Sequence, residues 1–199
     1  MIFKGGLLLL LIFILFFVFK WLYFGIQDIE TPYYQESKIQ QKISVRHYPS
    51  LNIAKIDVEG SQQSALKKGF RAVAAYIFGE NAQYKKITMT KPVLLTGKLK
   101  NWQVAFIMPQ KYDAATLPLP NNSNVELTEM KKAKYLVIRF SGRIRKSRLS
   151  KELKQLEMFA TSRQCQIKGE PIYAFYNPPW TLPMFRRNEV WLRIEGDCF

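Results

Sequence analysis

The chain opens with a block of hydrophobic positions unlike any later stretch. Gly5 to Phe19 are fifteen consecutive uncharged residues, Lys20 interrupts them, and Trp21 to Ile26 resume the apolar run. Drawn as one helix, Gly5 to Ile26 would reach roughly 33 Å at about 1.5 Å per residue, which matches a hydrocarbon core of about 30 Å. Lys20 lies near one end, where its amine can bend to the interface, and Trp21 and Tyr23 stand where an aromatic belt belongs. The pattern predicts an N-terminal transmembrane helix within residues 1–26. A cleaved signal peptide is the rival reading. It fits the basic start at Lys4, but Trp21-Leu22-Tyr23-Phe24 offers no small-x-small cleavage site. Residues 27–42 then read as a polar tether.

From Ile43 onward the apolar positions alternate as in strands. Ile43, Val45 and His47 share one face, and Ser44, Arg46 and Tyr48 the other. Ala54, Ile56 and Val58 alternate with Lys55 and Asp57 until Gly60 ends the strand. Leu66, Phe70, Val73 and Ile77 then recur at i, i+4, i+7 and i+11, one stripe of an amphipathic helix stopped by Gly79. Strands come next near 87–96 and 102–108. The order repeats: strands near 125–130 and 135–141, a helical stripe of Leu149, Leu153, Leu156 and Ala160, then strands near 172–176 and 189–194. Ala54 to Gly60 corresponds to Leu136 to Gly142 at an offset of 82 residues, and the helical stripes correspond at 83. The periodicity predicts an α+β fold: a distorted eight-stranded antiparallel β-barrel with two helices outside, built from two β-β-α-β-β halves, 43–116 and 124–195. Leu117 to Asn122 reads as the linker between halves, and Asn177-Pro178-Pro179 as a rigid turn.

Charge changes the picture next. Thirty Lys and Arg against fifteen Asp and Glu give +15, a balance that favours anionic partners. Arg139, Arg143, Arg145, Lys146, Arg148, Lys151 and Lys154 fall within sixteen residues that hold one acid, Glu152. That stretch is either a solvated helix start or a contact surface for anionic lipid headgroups, worth about 1 kcal/mol per basic residue near a membrane. No nucleic-acid reading motif is present, and nucleic acid is not an expected partner. The basic start before the first span resembles an N-in anchor, so the expected location is a single-pass membrane protein with its domain on the outer (trans) face. There Cys165 and Cys198 could pair; two free thiols in a reducing compartment remain the other reading.

Candidate chemistry is sparse. One histidine and two cysteines cannot build a structural zinc site, and no C-x-x-C-H motif is present for covalent haem attachment. No catalytic triad motif or phosphate-cradling loop appears, so an enzyme is not expected. His47, on a strand face with Ile43 and Val45, is either a satisfied core or rim residue or a metal ligand supplied from one side.

Several stretches together resemble the SOUL haem-binding protein family: Ile29-Glu30-Thr31-Pro32, Val45-Arg46-His47-Tyr48, Gly69-Phe70-Arg71 through Asn81, Lys86-Ile87-Thr88-Met89-Thr90-Lys91-Pro92-Val93, Phe106-Ile107-Met108-Pro109, and Tyr176-Asn177-Pro178-Pro179-Trp180 through Trp191. The resemblance covers residues 29–194. It implies noncovalent binding of haem or another tetrapyrrole in an apolar surface cleft beside the first helix. The plate would lie against Leu66, Phe70 and Val73 or neighbouring strand residues; Lys67, Lys68 and Arg71 flank that stripe and are the candidates for the propionates, and His47 is a possible axial iron ligand. The N-terminal anchor departs from the family pattern. Two other readings stand beside this one. The first is a small-molecule hydrolase or effector-binding protein of the gyrase-inhibitor-like fold, for which Glu80, Glu126 and Glu189 are the acids to inspect. The second is a membrane-tethered interaction module acting through its basic face.

Overall fold

The computed structural model describes residues 29–196 and 198–199, together with Leu10, Phe13, Ile14, Phe16 and Phe17. Those five are helical and exposed. The rest of the expected span over residues 1–26 lies outside the described residues, and among the described residues no helix is long and apolar enough to cross a membrane. Met1–Glu30 and Thr31–Phe199 are separate compact units, and the second carries the sheet.

Nine strands and two helices form this domain: β1 Gln35–Lys38, β2 Ile43–Tyr48, β3 Leu51–Glu59, α1 Gln62–Ile77, β4 Val93–Lys98, β5 Asn101–Ile107, β6 Glu126–Met130, β7 Ala133–Phe140, α2 Lys146–Ser162, β8 Gln166–Phe175 and β9 Asn188–Glu195. The two β-β-α-β-β halves are therefore β2 to β5 around α1 and β6 to β9 around α2. All strands join one antiparallel sheet in the order β1-β2-β7-β9-β8-β4-β5-β3-β6. The first strand of each half is exchanged: β2 pairs with β7 of the second half, and β6 with β3 of the first.

The expected closed eight-stranded barrel is corrected to an open nine-stranded sheet. The ninth strand, β1, comes from the stretch read as tether. It adds to the β2 edge, the edge a closing strand would have needed. Both outer strands are short and charged, QESK and ELTEM, which discourages further strand addition.

Strand alternation sorts the apolar residues onto two faces. Ile43, Val45, Ala54, Val104, Leu136, Val190 and Leu192 face the helices. Tyr48, Ile53, Leu94, Ala105, Tyr135, Val137, Trp191 and Tyr176 form a second, aromatic-rich layer on the opposite face. Each helix buries a stripe on the first face. For α1 the buried stripe is Ala65, Gly69, Val73, Tyr76 and Ile77, shifted from the one read in the sequence, so Leu66 is half-buried and Phe70 is 38% exposed. Small residues let α1 approach β5 closely. A Cβ on Gly69 would lie 2.5 Å from Val104 Cγ2 and 2.6 Å from Val104 Cβ. The stretch Leu117 to Asn122 is packed rather than loose: Tyr76 Oη donates to the Pro118 carbonyl at 3.0 Å, and Ala82 N to the Leu119 carbonyl at 2.9 Å.

The Gly69 contact sets a test. Gly to Ala in a free helix gains about 1 kcal/mol, whereas overpacking a filled core costs about 1–3 kcal/mol. Gly69→Ala should therefore lower the denaturant midpoint; a raised midpoint would show that α1 has room to move.

Candidate functional site

Beneath the β1, β2 and β9 region lies a buried ionic cluster built on the carboxylate of Glu189, which is 0% exposed. Arg46 holds it with two prongs, Nη1 to Oε2 at 2.7 Å and Nη2 to Oε1 at 3.1 Å. Arg187 Nε donates to Oε1 at 2.8 Å, while Tyr176 Oη and Trp191 Nε1 donate to Oε2 at 2.9 and 2.7 Å. Arg46 also reaches Glu36 of β1 through Nε at 2.8 Å and lies 4.5 Å from the Tyr34 ring centre. Arg187 lies over the Tyr176 ring at 3.8 Å and donates to Tyr34 Oη at 3.2 Å.

Strand parity explains the cluster. Arg46 and Tyr48 alternate onto the face opposite the helices, as Glu189 and Trp191 do on β9. An arginine there has no water and must find its countercharge inside the domain. Burial by itself would raise the Glu189 pKa. The hydrogen bonds and charge of Arg46, the charge of Arg187 and the Trp191 hydrogen bond outweigh it, so the group stays a carboxylate below its ordinary range. Burial, followed by the Glu189 charge, raises Tyr176 well above the usual phenol value and keeps it a donor.

Above this cluster is a surface cavity of about 430 Å³ lined by Tyr33, Gln35, His47, Tyr48, Pro49, Lys132, Ala133 and Lys134. Its wall is braced from below: Tyr48 stacks on Trp191 with ring centres 4.9 Å apart and packs against Tyr34 at 5.0 Å. Tyr48 Oη is buried without a hydrogen-bond partner among the described residues. Burial pushes its pKa up, so it stands as a neutral, unused donor. His47 is exposed. Parity gives it the helix face, but its cross-strand neighbours are the polar Gln35 and Lys134.

The residues expected to form one ligand cleft are divided. Neither Leu66, Lys67, Phe70, Arg71 nor Val73 lines the His47 cavity. Strand exchange separates them: β2 pairs within the second half, whereas α1 lies on β3 and β5 at the other end of the sheet. Val73 is 0% exposed and offers no surface to a ligand. Lys67 and Arg71 are exposed, and Phe70 lies over Phe106 with ring centres 5.3 Å apart. Sequence reading missed Tyr33, Tyr48, Lys132 and Lys134. Arg46 and Glu189 at matching parity were the available signal for the cluster below.

A second cavity, about 530 Å³, is lined by Ser141, Gly142, Arg143, Arg145, Ser147, Arg148, Lys151 and Pro183. Of the three acids a hydrolase would draw on, Glu80 and Glu126 are exposed and Glu189 is fully engaged as an anion. Cys165 and Cys198 are joined in a disulfide, with Cα atoms 5.2 Å apart.

The family described as SOUL heme-binding protein matches residues 29–193. No curated protein matches the chain. Among solved structures, the EcmrR C-terminal domain is similar with a TM-score of 0.60 at 13% identity, over 82% of this chain and 98% of that one. A structure titled a hydrolase from Listeria innocua is similar with a TM-score of 0.57 at 11% identity, over 79% of this chain and 94% of that one. At such identities the likeness shows a shared fold.

Removing one side of the buried cluster leaves the other charged and unpaired, a cost of about 3–5 kcal/mol. Glu189→Gln should lower stability by that order in chemical unfolding at neutral pH. The pH dependence has a fixed sign. Folding lowers the Glu189 pKa, so its contribution is complete above the ordinary carboxylate range and is lost as pH falls through the depressed value. The acid limb of the native stability profile should therefore be steeper than that of Glu189→Gln; identical limbs would show that Glu189 does not set the acid response.

Proposed function

The chain belongs to the SOUL heme-binding protein family, and from that premise we propose that it binds haem or another tetrapyrrole noncovalently at the His47 cavity, held at a membrane by its N-terminal segment. The observation that carries the reading is the chemistry gathered around that cavity: an exposed imidazole, the exposed ring of Tyr33 and two lysines. Haem supplies an iron that takes a nitrogen ligand and a flat apolar ring bearing two carboxylates. His47 would meet the iron, the exposed Tyr33 the ring, and Lys132 and Lys134 the carboxylates. A volume of about 430 Å³ lies within the roughly 300–1,000 Å³ of small-molecule sites.

Both cysteines are joined in the disulfide, which leaves no thiol for a thioether link and supports noncovalent binding. The same disulfide supports an oxidising compartment, in keeping with a domain on the outer (trans) face. The apolar run from Gly5 to Ile26 supports the tether.

Titration of the full chain with haem should give a saturable Soret shift at micromolar protein, and none would defeat the proposal. His47→Ala should retain binding but change the ferric spectrum. Lys132→Ala with Lys134→Ala should weaken affinity at least about tenfold, since charge-assisted hydrogen bonds are worth about 1.5–3 kcal/mol. Phe70→Ser should leave the affinity unchanged; a loss there would move the site to α1.

A further inference from the structure

The loop between β8 and β9 carries a surface that the tetrapyrrole reading does not use. Trp180 is 73% exposed, Leu182 54%, Met184 71% and Phe185 58%. The segment is nevertheless ordered by its own hydrogen bonds. Thr181 N donates to the Pro178 carbonyl at 3.1 Å, Phe185 N to the Leu182 carbonyl at 3.0 Å, and the Arg186 side chain to the carbonyls of Thr181 and Pro179. Backbone satisfaction of this kind holds four large apolar side chains outward without cover, and a contiguous exposed apolar patch marks a contact surface.

Its flank is basic. Gly142 N donates to the Pro183 carbonyl at 2.9 Å, and Pro183 lines the groove of about 530 Å³ that also holds Arg143, Arg145, Arg148 and Lys151. The nearby acid, Glu152, is buried and paired with Arg148 at 2.9 Å. Among the described residues no acid pairs with Arg143, Arg145 or Lys151. An apolar, Trp-bearing ridge beside unneutralised cations is the complement of an anionic bilayer surface, which offers phosphates outside and acyl chains just below.

We propose that this face docks on an anionic membrane, with Trp180, Leu182, Met184 and Phe185 entering the headgroup boundary and Arg143, Arg145 and Lys151 contacting lipid phosphates. A bilayer is favoured over a protein partner because the apolar run from Gly5 to Ile26 keeps the domain beside one. In that respect the inference rests on the proposed tether and not on haem. Docking would give the tethered domain a fixed face toward the lipid.

The test uses the full chain reconstituted into vesicles containing doxyl-labelled lipid, with the Trp180 signal isolated by difference against Trp180→Phe. In phosphatidylglycerol vesicles Trp180 should be quenched by shallow doxyl groups. In phosphatidylcholine vesicles, or with Arg143→Glu, Arg145→Glu and Lys151→Glu together, the quenched fraction should fall more than about tenfold. Equal quenching in both lipids, or none in either, overturns the proposal. Alkaline carbonate extraction of the same vesicles scores the tether separately: a chain that is extracted overturns the anchor while the Trp180 signal is still read. Haem titration of Trp180→Phe should match the native chain.

Discussion

A single carboxylate without access to water organises this domain. Glu189 accepts hydrogen bonds from two arginines, a tyrosine and a tryptophan, and each donor comes from a different local setting. Arg46 lies on a strand of the first half, whereas Glu189 and Trp191 lie on the last strand of the second. The charge pair therefore ties the exchanged strand β2 into the opposite half, a constraint that apolar packing alone would express less specifically. Breaking such a pair is costly, although replacing it wholesale by apolar residues need not be. Its value here is placement. It fixes Arg46, and through Tyr34, Tyr48 and Trp191 it fixes the wall of the cavity above.

The halves, the helices and most strands were legible from periodicity, because each alternating or helical stripe reports its own burial. Ile43 and Val45, Leu136 and Ile138, and Leu149 and Leu156 all point inward as their spacing requires. Pairing between halves was not legible. Exchange of β2 and β6 depends on contacts between residues about seventy to ninety-five positions apart, and no local pattern encodes it. That is why His47 and the α1 residues, expected to share a cleft, lie on different parts of the sheet. The α1 stripe was misplaced for a simpler reason. Gly69 and Ala65 make the close contact because they are small, and a search for large apolar residues passes over them. Likewise Gln35–Lys38 has no hydrophobic signature, since both its faces are exposed at an edge.

Function can be read from the fold only as far as the site allows, because the similar solved structures share architecture at low identity. This chain combines an exposed imidazole at a surface cavity, a disulfide that joins both cysteines, and an apolar loop beside a basic groove. These features occupy separate surfaces. The proposed pigment site and the proposed lipid-facing surface would therefore not compete for the same residues, and the buried charge cluster lies under the first of them.

The most direct measurement is the amide spectrum of the isotope-labelled chain during titration with ferric haem, whose paramagnetism broadens nearby resonances. Broadening centred on residues 33–35, 47–49 and 132–134 is the predicted result. Broadening centred on Leu66 to Val73, with the His47 region unaffected, would contradict the placement of the site at His47.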